Sequence, residues 1–357
     1  MKWGIFMKIS KIIKLVFLYS LLTSCSAINN SNDSNNNINK TLITVSYTNP
    51  VFTVKEFPDP SILKDEDGRY WAFCTGGDYA VSEDLVNWEY MGNFLMTAGS
   101  PLWGTTGAHL WAPDIQKIGD KYICYYSLSK WGDPNPGIGL AYCEDLDEGI
   151  WHDGGKLFLS SEIGVDNSID PMVYAEDDVV YMYFGSFNGI YVIELESDGL
   201  SLYGDSIEYA RFSKKLLTWP YEGSYLVKRN DWYYLYLSEG SCCNSLGSTY
   251  NVQVFRGETP LGPFYNHLGQ TSEEGRGYPV IRSNHEFVGP GHNAVTTDDA
   301  GNDYLIYHSY SQKYPSKRML CIDKLEYDED GWPSVEFLSP SYEEVKEGPS
   351  VYIEATK

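Results

Sequence analysis

The sequence predicts an all-β protein folded as one five-bladed β-propeller. Three observations indicate this fold: a strand–turn–strand unit recurs five times, the units start 55, 56, 52 and 70 residues apart, and helical periodicity is hard to find after position 25. A spacing of this size is typical of one four-stranded blade. We therefore predict that residues 45–357 form a single propeller domain.

Each repeated unit consists of a polar residue, a short strand, a turn and a Tyr-rich strand. The five units begin at Asp59, Asp114, Asp170, Glu222 and His292. Their second strands read YWAF, YICYY, VYMYF, WYYLY and YLIY. The turns, such as KDEDG at 64–68 and DDAGN at 298–302, contain the residues that tight hairpin connections favour.

The first 25 residues are predicted to be a lipoprotein signal peptide. Four lysines precede an apolar stretch at 15–22, which is the order of a secretory signal and is too short for a permanent span. The stretch ends in LTSC at Cys25, which resembles a bacterial lipobox. Residues 26–44 are rich in Asn and Ser and predict a flexible tether. We expect an exported protein held at the outer membrane or cell surface by a lipid anchor alone.

The chain is strongly acidic. Its formal net charge is -23, and removal of the four lysines of the leader takes this to -27. Nucleic acids and anionic polymers are therefore excluded as expected partners. A neutral substrate suits this charge, and the 30 Tyr provide flat faces on which sugars can stack, although Tyr is also a good strand residue.

The cysteines give no sign of a structural zinc site. Six remain besides Cys25, and none shows CxxC spacing. Export permits disulfides, but their pairing cannot be deduced from the sequence. We interpret most of these cysteines as buried small apolar residues.

Four of the five residues that open the units are acids. The first strand of a propeller blade lines the central channel, so these residues are expected to point toward the axis. Neighbouring carboxylates raise each other's pKa, a cost that suggests a function. Glycoside hydrolysis needs a carboxylic acid on one side of the bond and a carboxylate on the other. A metal site is the alternative, but hard-cation ligands usually cluster within one loop.

Four motifs, PDPSI, WAPD, IDP and EGSY, occur in this order at blade spacing. They resemble the successive blade motifs of family 43 glycoside hydrolases over nearly the whole mature chain. The resemblance implies a five-bladed propeller and inversion of the anomeric configuration. It implies that Asp59 is the general base, that Glu222 is the general acid and that Asp170 orients the acid and tunes its pKa. Asp114, in WAPD, would have a structural role.

Three further segments are similar to those of endo-acting arabinanases: NSIDP at 167–171, GSFNGI at 185–190, and CC followed by STY at 242–250. The similarity implies α-1,5-linked L-arabinan as substrate. The residues expected to bind it are Trp111, Gly139, Asn167, Ser186, Phe187 and Asn188. GHN at 291–293 resembles the segment whose His lies near a channel-bound cation, which implies calcium held largely through water near His292. A hydrogen-bonded His292 without metal is the alternative.

Two departures from the arabinanase pattern leave other activities open. Pro58 stands where arabinanases usually have His, and Gly223-Ser224 replaces the common Ala-Pro. An exo-acting α-L-arabinofuranosidase or β-xylosidase on the same propeller is one alternative. A non-catalytic glycan-binding surface lipoprotein is another, but binding alone does not need three channel acids.

Overall fold

The structure, a computed structural model, describes residues 40–205, 214–218, 220–342 and 345–354. The predicted signal peptide with Cys25 and residues 26–39 of the predicted tether lie outside the described residues. Among the described helices, none has both the length and the apolar character that crossing a bilayer requires.

Five antiparallel four-stranded sheets confirm the predicted propeller, and the strands of each sheet follow one another in sequence order. Blade I contains β2 (Ser61–Lys64), β3 (Tyr70–Phe73), β4 (Asp78–Ser82) and β5 (Trp88–Asn93). Blade II contains β6 (His109–Ile118), β7 (Lys121–Ser129), β8 (Gly137–Cys143) and β9 (His152–Leu159). Blade III contains β10 (Met172–Glu176), β11 (Val179–Phe184), β12 (Ile190–Leu195) and β13 (Lys214–Leu217).

The remaining two blades follow the same pattern. Blade IV contains β14 (Tyr221–Arg229), β15 (Trp232–Glu239), β16 (Asn251–Gly257) and β17 (Tyr278–Ile281). Blade V contains β18 (Phe287–Thr297), β19 (Asp303–Ser311), β20 (Met319–Tyr327) and β21 (Pro333–Val335). The described helices are short: α1 (Leu95–Ala98), α2 (Ser160–Ile163) and 3-10 turns at Tyr203–Asp205, Ser245–Gly247 and Glu336–Leu338.

A separate two-stranded sheet joins the two ends of the described chain. Its strands, β1 (Lys40–Tyr47) and β22 (Lys346–Glu354), run antiparallel. β1 begins five residues before the predicted domain boundary at 45. Residues 40–44, part of the predicted tether, are strand instead, because β22 supplies the hydrogen-bonding partner that a tether would lack.

The ring is closed at blade V by the chain segment that precedes β2. The Val51 amide donates to the Leu320 carbonyl at 2.9 Å, and the Phe57 amide donates to the Arg318 carbonyl at 2.8 Å. β21 pairs only with residues 325–327, at the C-terminal end of β20. The outer edge of β20 is thus shared between the beginning of the domain and its end.

The core lies between the blades. Buried apolar side chains of the described residues form five clusters, and each cluster is shared by one neighbouring pair of blades. The Tyr-rich second strands pack on both faces, which is why they read as continuous apolar runs rather than as alternating ones. These interfaces fix the blades around the channel and leave the strand ends free to build a site.

Each blade has a residue in the left-handed backbone region just before the regularly paired part of its inner strand. These residues are Asp59 (φ 54°), Ala112 (φ 39°), Asp170 (φ 60°), Gly223 (φ 55°) and His292 (φ 47°). Such a residue interrupts the extended chain and re-aims its neighbours. Ala112, two positions before Asp114, is therefore the counterpart of Asp59 and Asp170. Asp114 therefore occupies a different position along its inner strand from Asp59 and Asp170, and its carboxylate accepts hydrogen bonds from the two neighbouring blades.

Candidate active site

Asp59, Asp170 and Glu222 lie in one pocket, at the end of the propeller where the inner strands begin. The pocket has a volume of ≈ 330 Å³. All five blades contribute to its wall, which consists of Asp59, Thr75, Trp111, Ala112, Trp131, Ile169, Asp170, Glu222, Cys242, Cys243, Tyr250, His292 and Arg318. The structure thus brings together the three carboxylates singled out from the sequence.

The wall is built from two kinds of segment. One is the start of each inner strand. The other is the loop between the second and third strands, because in an antiparallel blade the second strand ends and the third begins at this same end. Thr75, Trp131, the Cys242–Cys243 pair and Arg318 come from such loops in blades I, II, IV and V. In blade III the equivalent loop is 185–189.

Asp59 is buried and paired with a cation. Nη1 of Arg318 donates to its two carboxylate oxygens at 2.8 and 3.1 Å, and the Thr75 hydroxyl donates at 2.6 Å. Burial would raise the pKa of Asp59, but Arg318, His292, His308 and the Thr75 hydrogen bond together outweigh burial and hold the pKa below its usual value. Asp59 is therefore an ionised carboxylate near neutral pH.

Glu222 has the opposite environment. Burial raises its pKa to about 6, and the charge of Asp59 adds to the rise, whereas the hydrogen bond from the Ser186 hydroxyl at 2.6 Å opposes it. The buried Tyr250 hydroxyl also lowers this pKa by proximity, although it makes no hydrogen bond of ordinary geometry within the described structure. One pocket thus holds a carboxyl that retains its proton in weakly acidic solution and one that does not, the arrangement of a general acid and a base.

Asp170 is the third buried carboxyl of the pocket. Burial raises its pKa well above the usual value, and the charges of Glu222 and Asp59 raise it further, against the lowering effect of the Gly223 amide. Its own amide donates to the Ser127 hydroxyl at 2.8 Å, which anchors the kinked backbone to blade II. Asp170 therefore interacts electrostatically with both other carboxyls.

Two histidines support the base. The Asp59 amide donates to Nδ1 of fully buried His308 at 3.0 Å, which assigns the proton of this neutral ring to Nε2. The ring also stacks on Tyr250, with centroids 5.7 Å apart. Burial lowers the pKa of both His308 and His292, so both rings are neutral near pH 7. A Cβ added to Gly223 would lie 3.1 Å from Nδ1 of His292, so glycine gives the His292 ring room.

The residues near His292 do not form a direct calcium site. No group of three or more His, Cys, Asp or Glu that could hold a metal occurs in the part of the chain that is described. Calcium prefers six to eight oxygen ligands, whereas the oxygens of Asp59 nearby are paired with Arg318. The buried Nε2 of His308 and the side chain of Asn293 have no hydrogen-bond partner among the described groups, and such atoms fit an ion held through water. Calcium held through water near His292 therefore stays a prediction.

The predicted substrate-binding residues fall into three places. Trp111 lines the pocket and meets Trp131 edge-on, with ring centroids 6.1 Å apart. Phe187 and Asn188 are exposed on the blade III loop, and the amide side chain of Asn167 donates to the Ser186 carbonyl at 3.1 Å. Ser186 itself is buried and bonds Glu222.

Gly139 does not line the pocket. It lies in β8, the third strand of blade II, where a Cβ would stand 2.5 Å from the Gly155 carbonyl oxygen and 2.5 Å from the Trp103 ring. Its place is therefore in strand packing, and the expectation that it contacts substrate is wrong.

Asp114 has a structural role and joins neighbouring blades. The Ser61 hydroxyl donates to it at 2.9 Å, the Val173 amide at 2.7 Å and the Gln116 amide side chain at 3.0 Å. These bonds join blades I, II and III. Burial raises the pKa of Asp114 to about 6 although the three bonds lower it. This is the structural role that the resemblance implied.

Several residues that line the pocket or lie directly behind its wall were not assigned to the site from the sequence: Thr75, Trp131, Tyr250, His308 and Arg318. All except His308, which lies in β19, stand in loops without periodic pattern, and Trp131 is 80% exposed. The signal that could have found them is positional, since each lies at the end of a second strand or before a third one. Arg318 is also one of only 26 cationic residues in an acidic chain.

The cysteines divide into a bonded pair and four free thiols. Cys242 and Cys243, adjacent in sequence, form a disulfide in the pocket wall. The four thiols are buried, as expected for small apolar residues: Cys74, Cys124, Cys143 and Cys321.

A second cavity, of ≈ 400 Å³, lies beside Trp232, Arg256 and Trp332. The Arg256 guanidinium stands between the two indoles, 4.4 Å and 4.2 Å from their ring centroids. No carboxylate lines this cavity. This cavity therefore lacks the pair of carboxyls that glycoside hydrolysis requires.

Comparison with known proteins gives a consistent set of similarities. The model of the glycosyl hydrolases family 43 matches residues 47–333. The probable arabinan endo-1,5-alpha-L-arabinosidase A of Aspergillus flavus is 33% identical over 290 residues, which cover 78% of this chain and 90% of that protein. The extracellular exo-alpha-(1->5)-L-arabinofuranosidase ArbA of Cellvibrio japonicus is 31% identical over 301 residues, covering 78% and 86%.

Solved structures show the same likeness. The Cellvibrio cellulosa alpha-L-arabinanase complexed with arabinohexaose superposes with a TM-score of 0.70 at 29% identity, covering 79% of this chain and 96% of that one. The endo-arabinanase of Bacillus licheniformis gives a TM-score of 0.69 at 27% identity, covering 81% and 99%.

Proposed function

The chain belongs to family 43 of the glycosyl hydrolases, and from this premise we propose that it cleaves α-1,5-linked L-arabinan by endo action with inversion. The observation that carries the proposal is the opposite tuning of two carboxyls in one pocket: Asp59 is held ionised and the pKa of Glu222 is raised to about 6. The names of the similar proteins support arabinan as the substrate.

In the proposed reaction, Glu222 protonates the glycosidic oxygen as its bond to the anomeric carbon breaks. Asp59 accepts a proton from a water that attacks this carbon from the opposite face. Arg318 and Thr75 fix the orientation of the base through three hydrogen bonds. Asp170 and Glu222 repel each other when both are ionised; this repulsion raises the pKa of Asp170, and by reciprocity it favours the protonated form of the acid.

The stereochemistry of the first product tests this assignment. Because the acid and the base come from blades I and IV, which do not neighbour each other in the ring, we expect room for a water between them, as an inverting pair requires. Proton NMR of the earliest product from linear arabinan should show the β-anomer released from the α-bond. An α-product would contradict Asp59 as the base.

Product size separates endo from exo action. Internal cleavage gives a mixture of arabino-oligosaccharides from the first minutes, whereas an exo-acting enzyme gives one product throughout. The similarity to the exo-acting ArbA favours exo action as the second candidate. A protein that only binds glycans would release nothing.

We also propose that the protein is an exported lipoprotein acylated at Cys25. The LTSC sequence supports the anchor, and the word extracellular in the name of ArbA supports export. A Cys25→Ser variant should leave the membrane fraction and remain active; a variant that stays membrane-bound would refute the anchor.

For the water-held calcium near His292, addition of calcium to chelator-treated protein should raise the thermal midpoint of unfolding, and an unchanged midpoint would refute this calcium site.

A further inference from the structure

We propose that the Cys242–Cys243 disulfide is a substrate-contacting surface that packs against the apolar face of a sugar ring. The inference rests on the proposed function, because the ring in question is an arabinose unit of the substrate. The disulfide lies in the wall of the same cavity as Asp59, Asp170 and Glu222. The acid–base chemistry does not use it.

Hydrogen bonds hold the two ends of the disulfide-bearing loop together independently of the disulfide. Across the base of the loop, the Ser241 amide donates to the Thr249 hydroxyl at 3.0 Å and the Ser248 hydroxyl donates to the Ser241 carbonyl at 2.6 Å. A Cβ on Gly240 would stand 2.5 Å from the Thr249 carbonyl oxygen, so the two sides of the loop approach closely. The hydrogen-bonded base, rather than the disulfide, therefore fixes the path of the loop.

A bond between neighbouring residues adds little to fold stability by chain entropy. The sequence separation of Cys242 and Cys243 is 1, and the stabilisation that a disulfide gives through loop closure grows with the length of the loop it closes. The bond therefore has a small effect on the fold and a large one on the pocket wall. It replaces two rotatable thiols by one fixed pair of sulfur atoms.

The chemistry of this surface suits a sugar. Cys242 is half-buried and Cys243 is exposed, so the sulfur surface is open to a ligand. Sulfur is polarisable and gains dispersion energy against carbon–hydrogen groups. The other large apolar surface of the pocket, the Trp111–Trp131 pair, comes from blade II. Blade III, with Asp170, lies between blades II and IV, so a sugar chain over the carboxyls meets indole on one side and disulfide on the other.

A purely structural role predicts a different effect. The same loop leads into Tyr250, which is buried near Glu222 and lowers its pKa. If the disulfide acted only by holding Tyr250, its loss would change the chemical step and the pKa of Glu222. If it contacts substrate, its loss weakens binding equally in the ground state and the transition state, which raises KM and leaves kcat unchanged.

The test compares the double variant Cys242→Ser, Cys243→Ser with the wild type on linear arabinan. We expect KM to rise about five-fold, with kcat unchanged and the alkaline limb of the pH profile in place. An unchanged KM, a reduced kcat or a shifted alkaline limb would each overturn the proposal. Failure of the wild type to cleave arabinan would overturn the proposed function instead, and the inference with it.

Reduction of the wild type provides the matched control and does not depend on folding of the variant. Treatment with a phosphine reductant converts the disulfide into two thiols and should reproduce the rise in KM. The double variant should not respond, because Cys74, Cys124, Cys143 and Cys321 are already free thiols. A KM of the wild type that reduction leaves unaltered would also overturn the proposal.

Discussion

The inner strands of blades II and IV each carry a buried carboxyl whose pKa is raised to about 6, mainly by burial, yet only one of the two lies in the pocket. Asp114 uses both oxygens to accept three hydrogen bonds that join three blades. Glu222 accepts one bond, from Ser186, and faces the cavity. A raised pKa therefore reports burial, and it indicates acid catalysis only where the carboxyl also has a side open to a ligand.

The sharpest test of this difference is Glu222→Gln. The amide keeps the shape and the hydrogen bond from Ser186 but cannot donate the proton to the leaving oxygen. We expect kcat on arabinan to fall about 10³-fold, with oligosaccharide binding retained by calorimetry. Activity within a few-fold of the wild type would show that the open carboxyl is not the acid.

Asp114→Ala should have the converse effect. It leaves the Ser61 hydroxyl and the Val173 amide without their acceptor, so we expect the free energy of unfolding to fall by about 2–4 kcal/mol. Denaturant unfolding measures this, and kcat of the folded fraction should stay within about three-fold, a margin well below the loss expected for removal of a general acid. A large loss of kcat at unchanged stability would show that Asp114, like Glu222, takes part in catalysis.

The smallest effect concerns the position of the pH profile. Glu222 is active while protonated, so activity is present below its pKa of about 6 and is lost as the pH rises through it. The Ser186 hydroxyl lowers this pKa, so Ser186→Ala should raise it and move the alkaline limb of kcat/KM to higher pH. Asp114→Asn is the control, and its limb should not move. A Ser186→Ala limb that moves to lower pH would contradict the assignment.

The parts of the molecule that repeat could be predicted from the sequence. The inner strands of the blades combine apolar runs, turn residues and a fixed spacing, and this was enough for the propeller and for the pocket carboxyls Asp59, Asp170 and Glu222. Asp114 does not line the pocket with them, because a left-handed residue, Ala112, precedes it by two positions in that strand, and nothing in the local sequence pattern marks this offset.

The loops between second and third strands could not be predicted in the same way. Their residues have no period, and what brings Arg318 to Asp59, or the disulfide into the wall, is the closure of the whole ring. The prediction that Gly139 contacts substrate was wrong for a related reason. In a single sequence, a glycine that permits close packing between strands cannot be distinguished from one that lies beside a ligand.

Ring closure at blade V also sets an order for folding. The amide side chain of Asn49 donates to the Ile322 carbonyl at 2.9 Å, and the Ile322 amide donates back to Asn49 at 3.0 Å, across a separation of 273 positions. Residues 49–57 are synthesised before β20, and they can pair with β20 only after most of the domain has been made. Contacts of such sequence separation form slowly, and until then β20 has an open edge on which a second chain could pair. The interval before closure is therefore when this protein is most exposed to aggregation, and a truncation that removes 49–57 would make that interval permanent.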